Sequence, residues 1–219
     1  MITYETIKNN DAVNVYIERA DASLKALGYT DHSFAHVGMV ANRTSELLSG
    51  LGYSEREIEL SKIAAYLHDI GNVVNRVDHS QSGALIAFRI LDKLGMDASE
   101  IAEIVTAIGN HDEGTGVPVN PVAAALIIAD KSDVRRSRVR NSDRSTFDIH
   151  DRVNYSVEES TLSISEDRSR VVLTLKIDSG ISAVMDYFRI FIGRMEMSQR
   201  AASALGLEFS LVINGQKLL

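Results

Sequence analysis

Apolar positions in the first two-thirds of the chain recur every three or four residues, the period of a helix, and strand signals are scarce there. Residues 5 to 27 predict a first helix, and Thr30-Asp31 predicts the N-cap of a second that runs to about Leu51, where Gly50 and Gly52 stop it. Ser54 predicts the cap of a third helix, with Leu60, Ile63, Ala64 and Leu67 on one face. A fourth carries Ala84, Ala87, Phe88, Leu91 and Leu94, and a fifth carries Ile101, Ile104, Val105 and Ile108. Each apolar stripe requires a common core. The stretch 109–121 holds three glycines and both prolines, so it predicts a loop before a sixth helix near Val122.

After residue 150 the pattern changes to alternation. Val153, Tyr155 and Val157, then Leu162 and Ile164, then Leu173, Leu175 and Ile177 predict three short antiparallel strands. A long helix follows from about Ile181 to Leu205, and Phe209 to Ile213 predicts a last strand ending at an Asn214-Gly215 turn. The expected fold is therefore mainly α: a helical domain over residues 1–145 with a small C-terminal α+β unit over residues 146–219. The polar stretch 141–150 is not a flexible linker, so the two parts are expected to pack together.

Composition narrows the chemistry. The chain has 219 residues and no cysteine, which removes thiol nucleophiles, thiolate zinc sites and disulfide frameworks. Any metal must use His, Asp, Glu or Asn. A formal net charge of -7 argues against general nucleic-acid binding. The polar first residues do not resemble a secretory signal and no segment approaches the length of a membrane span, so a cytoplasmic protein without a membrane partner is expected.

Polar residues stand where apolar stripes would continue. His36 lies four before Val40, His68 four after Ala64, His111 three after Ile108, and Asp130 follows Val122 and Leu126 at intervals of four. Such spacing turns these groups toward the common interior, where an unpaired charge costs several kcal/mol. One such residue alone is more often a satisfied core group or a cap; four together point to a metal. Asp69 follows His68 and is turned about 100° further round the helix, so both reach one ion only near the helix end, which Gly71 is placed to supply. His36, His68, Asp69 and Asp130 form a nitrogen and oxygen set that suits manganese, iron, zinc or similar ions better than calcium, and nickel and magnesium are further candidates. His79 and His111 are candidates for a second ion that shares Asp69. Asp78 or Ser80, however, could equally be capping the helix that His79 begins.

The string Ala64-Ala65-Tyr66-Leu67-His68-Asp69-Ile70-Gly71, with His36 upstream and Ile128-Ala129-Asp130 downstream, resembles the HD-domain phosphohydrolase superfamily, whose motif residues run H, HD, D on separate helices. The resemblance covers about residues 20 to 140. It implies an all-helical fold, hydrolysis of phosphate esters, usually of nucleotides, and metal ligation by His36, His68, Asp69 and Asp130. His79 with Gly83, and Asn110-His111-Asp112-Glu113 with Gly114-Thr115-Gly116-Val117-Pro118, are similar to the two-metal HD-GYP branch, with Asn110 and Val117 as departures from it.

Asp130 also begins a run containing Lys131, Asp133, Arg135, Arg136, Arg138, Arg140 and Arg144. A solvated helix face is the plain reading of such a run. So many arginines beside a metal ligand in an acidic chain are also well placed to hold phosphate, and Lys131, Arg135, Arg138 and Arg140 are the candidates. The expected function is metal-dependent hydrolysis of a small phosphorylated substrate, a nucleotide or related phosphomonoester or phosphodiester. Asp69 and Lys131 are then the catalytic residues, with Asp112 or Glu113 assisting proton transfer. The alternatives are a non-catalytic regulatory module that binds a nucleotide or protein, and a di-iron oxygenase. The C-terminal unit is expected to lie outside the chemistry, where it could dock on the helical domain, form a homodimer contact or narrow access to the site.

Overall fold

The computed structural model describes residues Met1–Leu219. Nine helices precede, interrupt and flank a small sheet: α1 Tyr4–Lys8, α2 Asp11–Ala26, α3 Phe34–Leu51, α4 Glu55–Leu67, α5 His79–Lys93, α6 Ala98–Gly109, α7 Pro121–Lys131, α8 Ile149–Ser156 and α9 Val184–Ala204. Strands β1 Val157–Ile164, β2 Arg170–Ile177, β3 Glu208–Ile213 and β4 Gln216–Lys217 lie in the order β1-β2-β3-β4. The fold is mainly α with a C-terminal α+β region. No helix is long and apolar enough to cross a membrane.

Helix α7 explains the architecture. Every residue from Val122 to Ala129 is buried, so the helix is apolar all round and must be covered on all sides. Val122, Ala123, Leu126 and Ala129 join a core built with α1 to α6, whereas Ala124, Ala125, Ile127 and Ile128 join a second core. That second core adds Leu47 and Leu48 of α3 to Leu173 of β2, Leu211 of β3, and Tyr187, Phe191 and Met195 of α9. The C-terminal region thus shares an interior with the helices before it. Asn120 caps α7, its side chain accepting from the Ala123 amide at 2.7 Å, and Pro121 takes the first helical position. At the other end α7 delivers Asp130 and Lys131.

Several expected elements differ in detail. The first helix is two, because the Asn10 side chain accepts from the Ala12 and Val13 amides and starts a new helix. Ser33, not Thr30 or Asp31, caps α3; Asp31 instead accepts from the Ser33 hydroxyl at 3.0 Å. Three antiparallel strands were expected, but Val153 and Tyr155 lie in α8. The Asp148 side chain accepts from the Asp151 amide at 2.7 Å and nucleates that helix, and three alternating residues are too few to separate a strand from one helical face. Strands β1 and β2 pair antiparallel, β2 and β3 pair parallel across the α9 connection, and β3 turns into β4 at Asn214 and Gly215, both with positive φ.

Candidate metal centre

Helix α4 carries a capping box at Ser54 and Glu57 and ends at Leu67. The chain then enters a 3-10 turn over Ile70–Val73. His68 keeps helical backbone angles and Asp69 is the first residue to leave them, and at this helix end His68 Nε2 lies 3.2 Å from Asp69 Oδ2. The N-terminus of α5 packs directly on this turn. A Cβ on Gly71 would lie 1.9 Å from the His79 carbonyl oxygen and 2.5 Å from the Gly83 amide, so only glycine permits the approach. Asp78 stands at the N-cap with left-handed backbone angles and no side-chain cap bond, and His79, the first residue of α5, places its Nε2 3.5 Å from Asp69 Oδ1.

The histidines share one tautomeric logic. His68 Nδ1 lies 2.7 Å from the Ala65 carbonyl, His111 Nδ1 2.7 Å from the Ile108 carbonyl, and His79 Nδ1 3.1 Å from the Arg76 carbonyl. A carbonyl only accepts, so each Nδ1 carries a proton, and each ring in its neutral form presents a lone pair at Nε2. In His36, Nδ1 meets Asp133 Oδ2 at 2.7 Å. All four Nε2 atoms face a common interior. Those of His36 and His68 are buried without a hydrogen-bond partner.

Around these two nitrogens stand two carboxylates. His36 Nε2 lies 3.5 Å from Asp69 Oδ2 and 3.3 Å from Asp130 Oδ1, and His68 Nε2 lies 3.7 Å from the latter. Ligands about 2.1 Å from one ion lie about 3.0 Å apart at right angles and about 3.4 Å apart at tetrahedral angles. The spacing fits a divalent cation held by His36, His68, Asp69 and Asp130. A second group forms round the other oxygen of Asp69: His79 Nε2 is 3.5 Å from Asp69 Oδ1 and 3.1 Å from His111 Nε2. Two facing lone pairs at that separation repel unless a proton or a cation lies between them. Asn110 does not take part; its amide donates to the Thr106 carbonyl and its oxygen accepts from the Val117 amide.

Electrostatics agrees with the geometry. Burial opposes the charged form of His68, but the carboxylates of Asp69 and Asp130 outweigh it and raise the group to about 10. A divalent cation taking that Nε2 must displace a proton. Burial lowers His111 far below its ordinary value, with neighbouring His68 and Lys131 acting in the same direction. His79 is lowered as well, first by burial. Both are therefore neutral ligands near pH 7.

The structure brings together His36, His68, Asp69, Asp130, His79, His111 and Lys131, and brings Arg138 to the edge of the same cavity. Lys131 is buried and pairs with Asp130 Oδ2 at 2.6 Å and Glu113 Oε1 at 3.4 Å. Arg135 and Arg140 are not at the cavity: Arg135 wraps Asp133, and Arg140 pairs with Asp21 and Asp31. In their place Arg76 and Arg194 line it. Arg76 sits three residues before His79, but Arg194 lies in α9 and no local pattern distinguishes it from other arginines there. Asp133, which at the sequence level only balances arginines, is fully buried and orients His36. Its position three residues after Asp130 was the available signal. Arg138 and the hydrogen bonds of His36 and Arg135 outweigh the cost of burying Asp133 and hold its carboxyl far below the usual carboxylate range.

Comparison with known proteins gives three findings. The HD domain family model matches residues 33–135. An uncharacterised protein of Methanocaldococcus jannaschii is 25% identical over 208 residues, covering 84% of this chain and 80% of that protein. The crystal structure of a predicted HD superfamily hydrolase from an uncultured Thermotogales bacterium is similar over 62% of this chain and 75% of that one, at 26% identity and a TM-score of 0.45.

Proposed function

Because residues 33–135 of this chain belong to the HD domain family, we propose that it is a metal-dependent phosphohydrolase acting on a small nucleotide or related phosphate ester. The observation that carries this reading is the pair of buried, unpartnered Nε2 atoms of His36 and His68 opposite the carboxylates of Asp69 and Asp130. Two ring nitrogens buried against two carboxylates need protons or a cation between them, and a divalent ion can displace those protons. His36, His68, Asp69 and Asp130 would hold a first divalent ion; His79, His111 and Asp69 would hold a second. A bound divalent ion supplies Lewis acidity and makes water a nucleophile near neutral pH.

The remaining groups have separate tasks. Asp133 fixes the orientation of His36 by accepting from Nδ1, as backbone carbonyls do for His68, His79 and His111. Lys131 stays charged, because Asp130 and Glu113 more than offset the effect of burial, and its ammonium lowers the cost of bringing a phosphate beside two carboxylates. Arg76, Arg138 and Arg194 supply guanidinium donors at the cavity wall for phosphate oxygens. Asp112 Oδ1, 3.9 Å from His79 Nε2, is placed to take a proton from the attacking water.

The test is a panel of nucleotides and generic phosphomonoesters and phosphodiesters, offered to the protein after loading with manganese, iron, zinc, nickel or magnesium. Release of phosphate or alcohol from at least one class is expected, with Asp69→Ala slowing it at least about 1000-fold, roughly 4 kcal/mol of lost barrier reduction. No turnover with any metal would leave a regulatory binding module as the better reading. Consumption of dioxygen instead would favour an oxygenase.

A further inference from the structure

Outside the metal centre the cavity widens into a second cleft of about 440 Å³ between the helical core and the C-terminal region. His32, Arg76, Arg138 and Arg194 line both spaces, so they form the neck between them. The three guanidinium groups are held in place and still have donors to spare. Arg194 lies over the Phe191 ring at 4.5 Å and its Nε forms an ion pair with Glu113 Oε1 at 2.9 Å; its two terminal nitrogens make no hydrogen bond within the protein. Arg76 lies over the Tyr29 ring at 5.5 Å, and Arg138 is fixed by the carbonyls of Asp31 and Asp133. Stacked, pinned arginines lose little further entropy when they grip an anion.

Beyond the neck the sign of the wall changes. Asp148, the N-cap of α8, and Asp151 and Asn154 of α8 line the cleft as well. Asn154 is buried and its amide donates to the His150 carbonyl at 2.9 Å, which leaves its Oδ1 without a protein donor. A ligand suited to this cleft has an anionic phosphate at one end and hydroxyl or amino donors at the other. We propose that the cleft binds the alcohol half of the ester, a hydroxyl-bearing ring of nucleoside or sugar type, and that Asn154 and Arg194 make the C-terminal region part of the substrate site. This rests on the phosphohydrolase reading for the direction in which the phosphate points. It assigns specificity to a region that carries no metal ligand.

Calorimetric titration of the manganese-loaded full-length protein tests this, with inorganic phosphate, adenosine 5′-monophosphate and glucose 6-phosphate as probes. One of the two esters is expected to bind at least about tenfold more tightly than phosphate, and which one it is separates nucleoside from sugar. Asn154→Ala and Asp151→Ala should each reduce that preference and leave phosphate affinity unchanged. Arg194→Ala should weaken phosphate and ester together by about tenfold or more, with Arg194→Lys recovering part of the loss. Asp151 is only half-buried, so its variant remains informative should Asn154→Ala fail to fold. Neither ester outbinding phosphate, or unchanged affinities in the Asp151 and Arg194 variants, would overturn the proposal. Hydrolysis of a small aryl phosphate with those variants binding as wild type would reject the cleft and keep the hydrolase; ester binding without any turnover would do the reverse.

Discussion

Asp133 shows how much of this site depends on a residue outside the set that faces the cavity. Its carboxylate accepts a hydrogen bond from His36 Nδ1 and two from Arg135, at 2.7 and 3.2 Å, with no exposure to water. A buried carboxylate so fully partnered is stable as an anion, and as an anion it sharpens the basicity of the opposite ring nitrogen. Asp133→Asn keeps the size and removes the charge. It should weaken metal binding by about 10- to 100-fold, read by competition against a chromophoric chelator, with the helical circular dichroism unchanged. His36, His68 and Asp130 were legible in the sequence because each interrupts an apolar stripe. Asp133 was not, because the arginines around it offered a sufficient explanation for a charged residue.

At the scale of elements, the decisive feature is the break between α4 and α5. His68 and Asp69 meet where the helix ends, 3.2 Å apart, and the chain then turns over Ile70–Val73. That turn exists only because α5 can approach it through Gly71. Gly71→Ala should therefore cost about 3 kcal/mol or more, since the added methyl meets backbone rather than a movable side chain, and thermal unfolding should shift down by several degrees. The helix-ending role of Gly71 was readable from its position; the close approach was not, because it depends on a segment of chain eight residues further on. The same limitation explains α8, where a cap at Asp148 overrides an alternation that reads equally well as strand.

At the scale of the molecule, α7 ties the metal centre to everything else. Its two faces serve two cores, so Asp130 and Lys131 sit where the helical part and the C-terminal region meet. Periodicity predicted a helical part followed by an α+β part, with the stretch 141–150 implying that they pack together. It could not predict that α9 would bring Arg194 to Glu113, since no pattern along one chain specifies which face of a distant helix packs where. The outcome is a cavity with candidate metal ligands from one part and an arginine from the other.

The central claim is that the inward-facing histidines and carboxylates hold the ion that makes this chain a phosphohydrolase. The direct measurement is ester hydrolysis as a function of manganese bound per chain, starting from protein stripped by chelator. Activity should be absent in the stripped protein, appear with bound metal, reach its maximum by two ions per chain, and stay absent in His68→Ala at the same metal concentrations. Equal activity in stripped and reloaded protein, or full activity in His68→Ala, would contradict the account.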